Sequence, residues 1–498
     1  MNKVGIGMVQ LPMKSQHTDI LPIKYQSYYV SYNGEIYDEA ATNLQNEIEI
    51  AINSIHALKP INGMFAIAAY DVKKNNIILA RDEFGIKPLY YYCDKQSKIF
   101  IACSEIHPIL QLIGQVNINR FVISEIIVFG TQVDESTCFS NINLLAPGNI
   151  LNISLDDMQI TRNIFPELQP TIHSFDSALE KSVSACVGDT FRPASLLISD
   201  GLDSNLLLTY LNNDINKYNI IVNNSDLNVN SNQYSHLQQM HLNEENYGHY
   251  FKNAVTAYGQ PCRMTSILMY QALSEYISQD DSHLVVTGEG ADEMFWGYPR
   301  HLKINSHALD NLDVIDLFFP DFSLNINLLN NCDQEMHINE IRERLSSQPK
   351  NKLDLIDSMD RKFSLEPLLR RSDHLLMRGT IETRVPFLHF GIPLLAKKQE
   401  VERIAGGVNK KYLINLMKKR NPSYAIKAKQ HFRAPIEAWF GKKKIDEHFN
   451  PSQLEIIDHL GISIDKLRSL SDNIRFDQVF VLKTAVMWYE KFENFFSK

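Results

Sequence analysis

The sequence lacks the features of membrane, secreted and nucleic-acid-binding proteins. No uninterrupted apolar run approaches the roughly 18 residues of a membrane-spanning helix. Residues 1–6 have neither the long apolar core nor the cleavage site of a signal peptide. The six cysteines include no CxxC pair, which favours reduced thiols over a disulfide framework or a zinc site. The net charge of −9 argues against a nucleic-acid binder, which would normally carry a basic face. We therefore expect a cytoplasmic protein with no membrane and no nucleic acid as partner.

What is present is typical of a large globular chain. At 498 residues it can form two or three domains, and 44% hydrophobic with 21% charged residues is an ordinary composition. The pattern is mostly β up to about residue 165, and a linker with two prolines, 163–170, precedes a helical pattern at 174–186. We predict two domains, 1–165 and 170–498.

The N-terminal region contains several short strand patterns. The alternating segment 28–32 ends in Asn33-Gly34, which is a strong signal for a tight turn. A turn of two lysines and two asparagines separates two further runs, which are predicted to pair. The paired runs are 63–71 and 76–82, and further strands are predicted at 89–92 and 99–103.

One stretch organises the C-terminal region. Apolar residues up to Ile198 predict a buried parallel strand, and apolar residues at helical spacing resume after a Ser/Asp/Gly loop. A loop at a helix N-terminus exposes backbone N–H groups and favours an anion. Ser199 and Ser204 add hydroxyls, Gly201 allows close approach, and Asp203 can hold a cation. The segment predicts a grip for a phosphate or a departing pyrophosphate.

A second loop of this kind follows the predicted strand 283–286. It is punctuated by glycines and carries Glu289, Asp292 and Glu293, which on their own could be acids that complement a helix N-terminus. Strands that alternate with helices imply a parallel sheet whose ligands bind outside the carboxyl ends of the strands. The two loops are therefore expected to face one crevice.

These segments resemble a known family. Residues 199–204 are similar to the Ser-Gly-Gly-x-Asp-Ser signature of the pyrophosphatase-loop ATP enzymes, with Asp200 at the second position, and 288–293 resemble the Gly-Glu-Gly-x-Asp-Glu motif of asparagine synthetases. Further matching segments occur in the family's order. They are 33–37, 63–66, 81–90, 104–106, 377–388, 410–413 and 425–435. The chain is identified as a divergent member of the asparagine synthetase family.

The resemblance implies a fold, a site and cofactors. The fold would be α/β, with an N-terminal α-β-β-α sandwich of the glutaminase type and a C-terminal parallel-sheet domain of the ATP pyrophosphatase type with a helical extension. ATP and Mg²⁺ are the implied cofactors. Pyrophosphate would be held by Ser199, Gly201, Asp203 and Ser204; adenosine by Leu197, Ile198 and Gly288; Mg²⁺ by Asp203 and Asp292. Lys429 would stabilise the α-phosphate and Glu289 would be the base.

The sequence also departs from the family. The family's nucleophilic Cys is replaced, since position 2 holds Asn2, Val4 aligns with Cys, and the first cysteine is Cys93. Neither an amide nor a valine replaces a thiolate, so we predict a first domain without glutaminase activity. In it Asn33-Gly34-Glu35, which contacts glutamine in the family, would remain as a turn. His389 stands where the family has Asp, and His431 where it has Gly.

The implied reaction joins a carboxylate to ammonia or an amine with formation of AMP and pyrophosphate. The segment 260–266 departs from the family's substrate-contacting sequence, so we expect a small-molecule or peptide carboxylate other than aspartate, in specialised metabolism. A second copy of the chain, or an enzyme that supplies nitrogen, is an expected protein partner. Two alternatives stay open: an intramolecular cyclase like the β-lactam synthetases or lasso-peptide cyclases, and a non-catalytic ATP-binding subunit.

Overall fold

The protein has an α/β fold, as the sequence predicts. A computed structural model describes residues 4–8, 22–188, 193–211, 215–222, 234–280, 282–304, 313–346, 351–398, 408–425, 434, 436–441, 443–470 and 474–497. Within these ranges the N-terminal part forms two antiparallel sheets and the C-terminal part a parallel sheet. None of the helices described there is both long enough and apolar enough to cross a membrane.

The N-terminal part contains strands β1 to β9. A six-stranded antiparallel sheet has the order β1-β2-β3-β4-β8-β9, and a three-stranded sheet has the order β6-β5-β7. Their bounds are β1 Ile23–Tyr25, β2 Tyr28–Ile36, β3 Gly63–Asp71, β4 Asn76–Arg81, β5 Tyr90–Asp94, β6 Ile99–Cys103, β7 Ile142–Leu144, β8 Asn149–Ser154 and β9 Ile160–Ile164. The predicted pairing of β3 with β4 is confirmed, since Asp71 lies opposite Asn76 across the turn.

Helices and the two sheets stack in four layers. The helix Leu44–Ala57 buries Ile48 and Ile52 against the outer face of the six-stranded sheet. On the inner face, side chains such as Leu79 and Tyr91 form a core between the two sheets. The helices Ile106–Ile113 and Arg120–Phe129 cover the three-stranded sheet from the other side. This is the predicted α-β-β-α order.

The predicted turn at Asn33-Gly34 is wrong. Strand β2 continues through both residues, and Gly34 lies opposite Phe65 of β3 in a nine-residue antiparallel ladder. Gly34 has a φ of 143°, and a Cβ atom there would overlap the carbonyl oxygen of Met64. The glycine therefore permits close approach of two strands instead of a chain reversal.

A parallel sheet organises the C-terminal part. Its strands are β10 Ala194–Leu197, β11 Asn216–Val222, β12 Leu237–Leu242, β13 Leu284–Val286 and β14 Glu382–Arg384, in the order β12-β11-β10-β13-β14. The predicted strands at 195–198, 218–222 and 283–286 correspond to β10, β11 and β13, whereas β12 and β14 were not predicted. Because β10 and β13 are parallel neighbours, the loops that follow them leave the sheet side by side.

Helices surround this sheet and form the C-terminal extension. A π-helix, Arg361–Leu365, joins two of them into one longer element, and short 3₁₀ turns lie at 299–303, 386–388 and 493–495. The α-helices are Phe175–Val187, Leu202–Leu208, Tyr247–Tyr258, Ser266–Ile277, Ala291–Met294, Val314–Phe318, Phe322–Ile326, Cys332–Ser346, Lys352–Asp360, Glu366–Met377, Ile392–Lys398, Lys411–Arg420, Ile436–Phe440, Ile445–His448, Pro451–His459, Ile464–Leu470 and Phe476–Phe492.

The two parts of the chain share apolar cores. One core joins Tyr90 and Ile109 of the first part to residues of the helices Ser266–Ile277 and Phe476–Phe492. Another joins Phe84 and Ile86 to the strands and helices around β10. The first part is therefore packed against the second through buried apolar surface, which excludes water from the contact.

Candidate active site

The loop after β10 is closed by its own hydroxyl groups. The Ser204 Oγ accepts a hydrogen bond from the Ser199 backbone N–H at 3.1 Å, and the Ser199 Oγ accepts one from the Gly201 N–H at 3.1 Å. Asn205 Nδ2 donates to the carbonyls of Ser199 and Gly201, both at 2.8 Å. Gly201 has ordinary extended dihedrals and precedes the helix Leu202–Leu208. The loop thus has a defined shape, and its predicted phosphate-gripping residues lie together.

Asp200 does not have the geometry that we expected. The replacement of the family's Gly by Asp predicts a side chain turned to solvent from a left-handed backbone, or one that helps to hold Mg²⁺. Asp200 is absent from the described residues with positive φ, and its Oδ1 atom is buried. Its carbonyl accepts a hydrogen bond from the Tyr424 hydroxyl at 3.1 Å. One oxygen of the Asp200 carboxylate is therefore shielded from solvent, and the Tyr424 contact is made by the backbone.

The loops after β10 and β13 touch, as predicted. A Cβ atom on Gly288 would lie 2.9 Å from the Cβ of Asp203 and 3.3 Å from the backbone nitrogen of Ser204. Only a glycine allows the acidic loop to pack this closely on the phosphate-gripping loop. Leu197 and Ile198, which end the strand beneath them, are half-buried and buried. The three residues predicted to contact adenosine are therefore neighbours at one sheet edge.

Asp203 and Asp292 converge on a single cation. The Nζ of Lys410 lies 2.5 Å from Oδ2 of Asp203 and 2.6 Å from Oδ1 of Asp292. Burial alone would lower the pKa of Lys410, but the two carboxylates raise it above its ordinary value. The ammonium group is therefore charged and neutralises part of the acidic pair.

The two carboxylates fit a magnesium site. Mg²⁺ is bound in proteins by one or two carboxylates together with phosphate oxygens of the substrate. Asp203 and Asp292 already hold one positive charge between them, so the arrangement suits a cation. Among the described residues no larger cluster of His, Cys, Asp and Glu side chains could hold a metal. Substrate phosphate would have to supply the remaining ligands.

Lys410 is a site residue that the sequence reasoning missed. It belongs to the segment 410–413 that matches the family, but nothing in that segment distinguishes Lys410 from Lys411. The structure places Lys410 at a left-handed φ of 54° directly before the helix Lys411–Arg420. Asn409 anchors the turn by donating to the carbonyls of Gly297 and Tyr298, both at 2.9 Å.

Glu289 lies in a ring of hydrogen-bond donors. Its carboxylate forms an ion pair with Arg371 and accepts hydrogen bonds from the hydroxyls of Tyr270 and Ser372, each at 2.7 Å. Arg371 is buried, donates to the Ser266 hydroxyl at 2.6 Å, and stacks on the Tyr270 ring at 3.8 Å. The carboxylate is thus held in one orientation. Sequence reasoning did not identify any of these donors.

The two acids near Glu289 are engaged elsewhere. Because Asp292 and Glu293 lie close to Glu289 in the sequence, the sequence predicts that they act on it as like charges. Instead Asp292 pairs with Lys410, and Glu293 accepts a hydrogen bond from the Tyr298 hydroxyl. Burial, followed by the charge of Asp292, raises the pKa of Glu293 to about 7. The acidic loop therefore contains three carboxylates with three different partners.

The segment 260–266 faces the first part of the chain. Gln260 donates to the Gln132 side chain at 2.7 Å and accepts from the Cys138 backbone at 2.9 Å, and Arg263 donates to the carbonyl of Ile127. Ser266 accepts a hydrogen bond from Arg371, which pairs with Glu289, and so connects the segment with Glu289. Lys429 and His431 lie outside the described residues, so the predicted α-phosphate contact has no structural account.

Two family models match the chain. The model described as asparagine synthase matches residues 174–459, and the model described as glutamine amidotransferase domain matches residues 3–164. The first range alone covers more than half of the 498 residues.

Individual relatives agree with these matches. "Putative asparagine synthetase 1, glutamine-hydrolyzing" of Methanocaldococcus jannaschii is 26% identical over 407 residues, 74% of this chain and 64% of that protein. "Asparagine synthetase 3, glutamine-hydrolyzing" of Bacillus subtilis is 28% identical over 210 residues, which are 37% of this chain and 34% of that protein. "Amidase chyE" of Penicillium rubens is 24% identical over 324 residues, which are 55% of this chain and 47% of that protein. The chain spans less than two thirds of the length of each relative. Both the motifs at the crevice and the extent of the family match lead to one assignment: this chain belongs to the asparagine synthase family.

Proposed function

We propose that the chain is an AMP-forming carbon–nitrogen ligase that joins a carboxylate to ammonia or an amine. The observation that carries the proposal is the convergence of two loops on one cation. Asp203 from the loop after β10 and Asp292 from the loop after β13 both contact Lys410, at the sheet edge where α/β proteins bind ligands. Buried charges of this kind favour a polyphosphate with its metal.

The first step is adenylation of the carboxylate. A carboxylate oxygen attacks the α-phosphorus of ATP, and the bond from that phosphorus to the pyrophosphate oxygen breaks. Ser199, Gly201, Asp203 and Ser204 hold the departing pyrophosphate, while Leu197, Ile198 and Gly288 line the adenosine. Mg²⁺ held by Asp203 and Asp292 would neutralise phosphate charge when bound. Lys410 would then contact the phosphate oxygens. Lys429 is proposed to stabilise the charge on the α-phosphate.

The second step is capture of the acyl group by nitrogen. The amine nitrogen attacks the acyl carbon, the bond to the adenylate oxygen breaks, and AMP leaves. An ammonium ion has no lone pair, so a base must first remove one proton, and we assign this role to Glu289. Tyr270, Ser372 and Arg371 support the assignment because they fix the carboxylate in one orientation.

The nitrogen is proposed to come from outside the first domain. In the printed sequence Val4 aligns with the family's Cys, and the first cysteine is Cys93, which is half-buried in β5. Burial raises the pKa of its thiol above the ordinary value, so it is a poor source of thiolate. We therefore propose that residues 1–165 form a domain without glutaminase activity and residues 170–498 the synthetase domain. We also propose that the carboxylate is a small molecule or a peptide other than aspartate, and that the reaction belongs to specialised metabolism.

The test is ATP–pyrophosphate exchange with a panel of carboxylic acids, followed by amide formation with ammonia and with glutamine as nitrogen sources. We expect exchange with at least one acid, amide with ammonia, and no glutamate released from glutamine above a blank. Asp292→Asn should abolish exchange, whereas Asp313→Asn, at the N-cap of the helix Val314–Phe318, should not. The absence of exchange with every acid would refute the ligase proposal.

A non-catalytic ATP-binding subunit is the second candidate. The observation in its favour is the ammonium group of Lys410 between the two carboxylates, where it competes with a metal. This candidate predicts nucleotide binding that is indifferent to magnesium and no exchange with any acid. Equilibrium binding of ATP with and without magnesium separates it from the ligase.

A further inference from the structure

A buried ion pair joins the two parts of the chain beside the parallel sheet. Glu35 lies on β2 of the first part and Arg384 on β14 of the second, and their side chains form an ion pair. Glu35 is 6% exposed and Arg384 is fully buried. Glu35 belongs to the segment that matches the glutamine-contacting residues of the family. In this chain its side chain contacts Arg384 instead.

Arg384 is the centre of a larger charge network. Its Nε donates to Glu382 at 2.8 Å and its Nη1 to the carbonyl of Cys186 at 3.0 Å. Glu382 in turn lies 3.6 Å from Nζ of Lys87, a buried lysine of the first part that also donates to Asp373 at 3.1 Å. The network crosses the contact between the two parts twice, once through Glu35 and once through Lys87.

Arg384 is also bonded directly to the acidic loop. Its backbone carbonyl accepts a hydrogen bond from the Thr287 N–H at 2.9 Å, at the end of the β13–β14 ladder. Thr287 is followed by Gly288, which packs on Asp203, and by Glu289. A side chain of the first part is therefore separated from the catalytic loop by one residue, Arg384.

The seam around the pair leaves little room for movement. The Tyr37 ring packs edge-on against His389 with centroids 4.6 Å apart, and Cys186 Sγ lies 3.9 Å from the Tyr37 hydroxyl. His389 is 1% exposed. A shift of Glu35 would have to displace these packed groups.

We propose that Glu35 is a positioning residue, which acts through Arg384 to hold the loop of Thr287, Gly288 and Glu289 in its working geometry. The first domain would thus contribute to amide formation as a support for the synthetase site instead of as a source of nitrogen. The proposal concerns the position of the loop, and its catalytic consequence rests on the proposed ligase function.

Two variants of the full chain test the positioning role. Glu35→Gln keeps the shape and removes the charge, and Glu35→Asp keeps the charge with a shorter side chain. The matched control is Glu39→Gln, which removes a first-part carboxylate that pairs with Lys181 at 2.8 Å on the surface. Hydrogen–deuterium exchange is followed in the peptide 284–295 and, for comparison, in the distant helix Phe476–Phe492.

We expect Glu35→Gln to speed exchange at 284–295 by about tenfold, because removal of one partner of a buried pair leaves the other uncompensated. The distant helix and the Glu39→Gln protein should be unchanged, and Glu35→Asp should recover part of the protection. Unchanged exchange at 284–295 overturns the proposal. A uniform rise across the protein also overturns it, since it indicates a general loss of stability.

Activity assays distinguish this proposal from the ligase function. In an active wild type, Glu35→Gln should slow amide formation about tenfold more than pyrophosphate release, because Glu289 acts only in the amide step. Equal slowing of both steps overturns the catalytic consequence. If the wild type shows no exchange with any acid, the ligase function is refuted, and the exchange kinetics at 284–295 still decide the positioning role.

Discussion

Replacement of Lys410 by methionine would test the metal site directly. Methionine is similar in length and shape but leaves Asp203 and Asp292 facing each other without the ammonium group. At separations of 2.5 and 2.6 Å and an effective dielectric constant of about 20, each Coulomb contact is worth about 6 kcal/mol before desolvation. After desolvation of the charges, loss of one partner of a buried pair typically costs about 3–5 kcal/mol. Without metal, Lys410→Met should therefore be markedly less stable than the wild type.

Magnesium should reverse this effect if the two carboxylates form its site. The assay is thermal melting in EDTA and in millimolar Mg²⁺, for the wild type, Lys410→Met and Lys411→Met. Lys411, the half-buried first residue of the helix that follows Lys410, serves as the control. We expect Mg²⁺ to raise the melting temperature of Lys410→Met more than that of the other two proteins. An ion that binds the folded state but not the unfolded state stabilises the fold. A variant that is destabilised yet indifferent to Mg²⁺ would refute the metal assignment of Asp203 and Asp292.

Three further predictions follow from the site. Glu289→Gln should still release pyrophosphate but form amide more slowly by roughly 10²–10⁴-fold in single-turnover assays, and a parallel fall of both steps would contradict its role as base. Asp200→Gly should retain or increase activity, because the Tyr424 contact uses the Asp200 backbone carbonyl; a collapse of ATP affinity would identify Asp200 as a metal ligand. Burial and the charge of Arg384 lower the pKa of His389 from 6.5 to about 3, so as pH falls the unfolded chain takes up the proton first and stability is lost between pH 6.5 and 3. His389→Asn should reduce that slope by about 1.4 kcal/mol per pH unit in denaturant titrations, and an unchanged slope would show that His389 is protonated in the folded protein.

The elements that the sequence predicts correctly are those with local signals. Strands β3 and β4 are long apolar runs around a polar turn, and β10 is an apolar run that ends in a loop of Ser, Gly and Asp, which are typical of turns. The turn at Asn33-Gly34 failed because a dipeptide signal is weaker than a ladder of nine paired residues. Strand β14 has the sequence Glu-Thr-Arg and so lacks the apolar run that marks β13, which is equally short.

The site was only partly predictable for a related reason. Motif spacing brings Asp203 and Asp292 to neighbouring strand ends, because parallel strands place their loops at one edge. The partners of Glu289 come from other elements, since Tyr270 and Arg371 lie on two separate helices. One signal was present: the helix Glu366–Met377 carries five consecutive polar residues, 370–374, which are all buried. A helix that is polar around its whole circumference at one turn must satisfy those groups inside the protein.

The same reasoning explains why the first part of the chain can be necessary for the second independently of any glutamine hydrolysis. Arg384, Glu382 and Asp373 are charged groups of the second part that find counter-charges in Glu35 and Lys87. Burial alone would raise the pKa of Glu382, but Arg384 and then Lys87 hold it below its ordinary value, so the carboxylate is charged in the folded protein. A buried charge without its partner is far more costly than the pair, and the apolar cores shared across the seam would be exposed as well. The first part of the chain therefore stabilises the second part through packing and charge contacts, whether or not it hydrolyses glutamine.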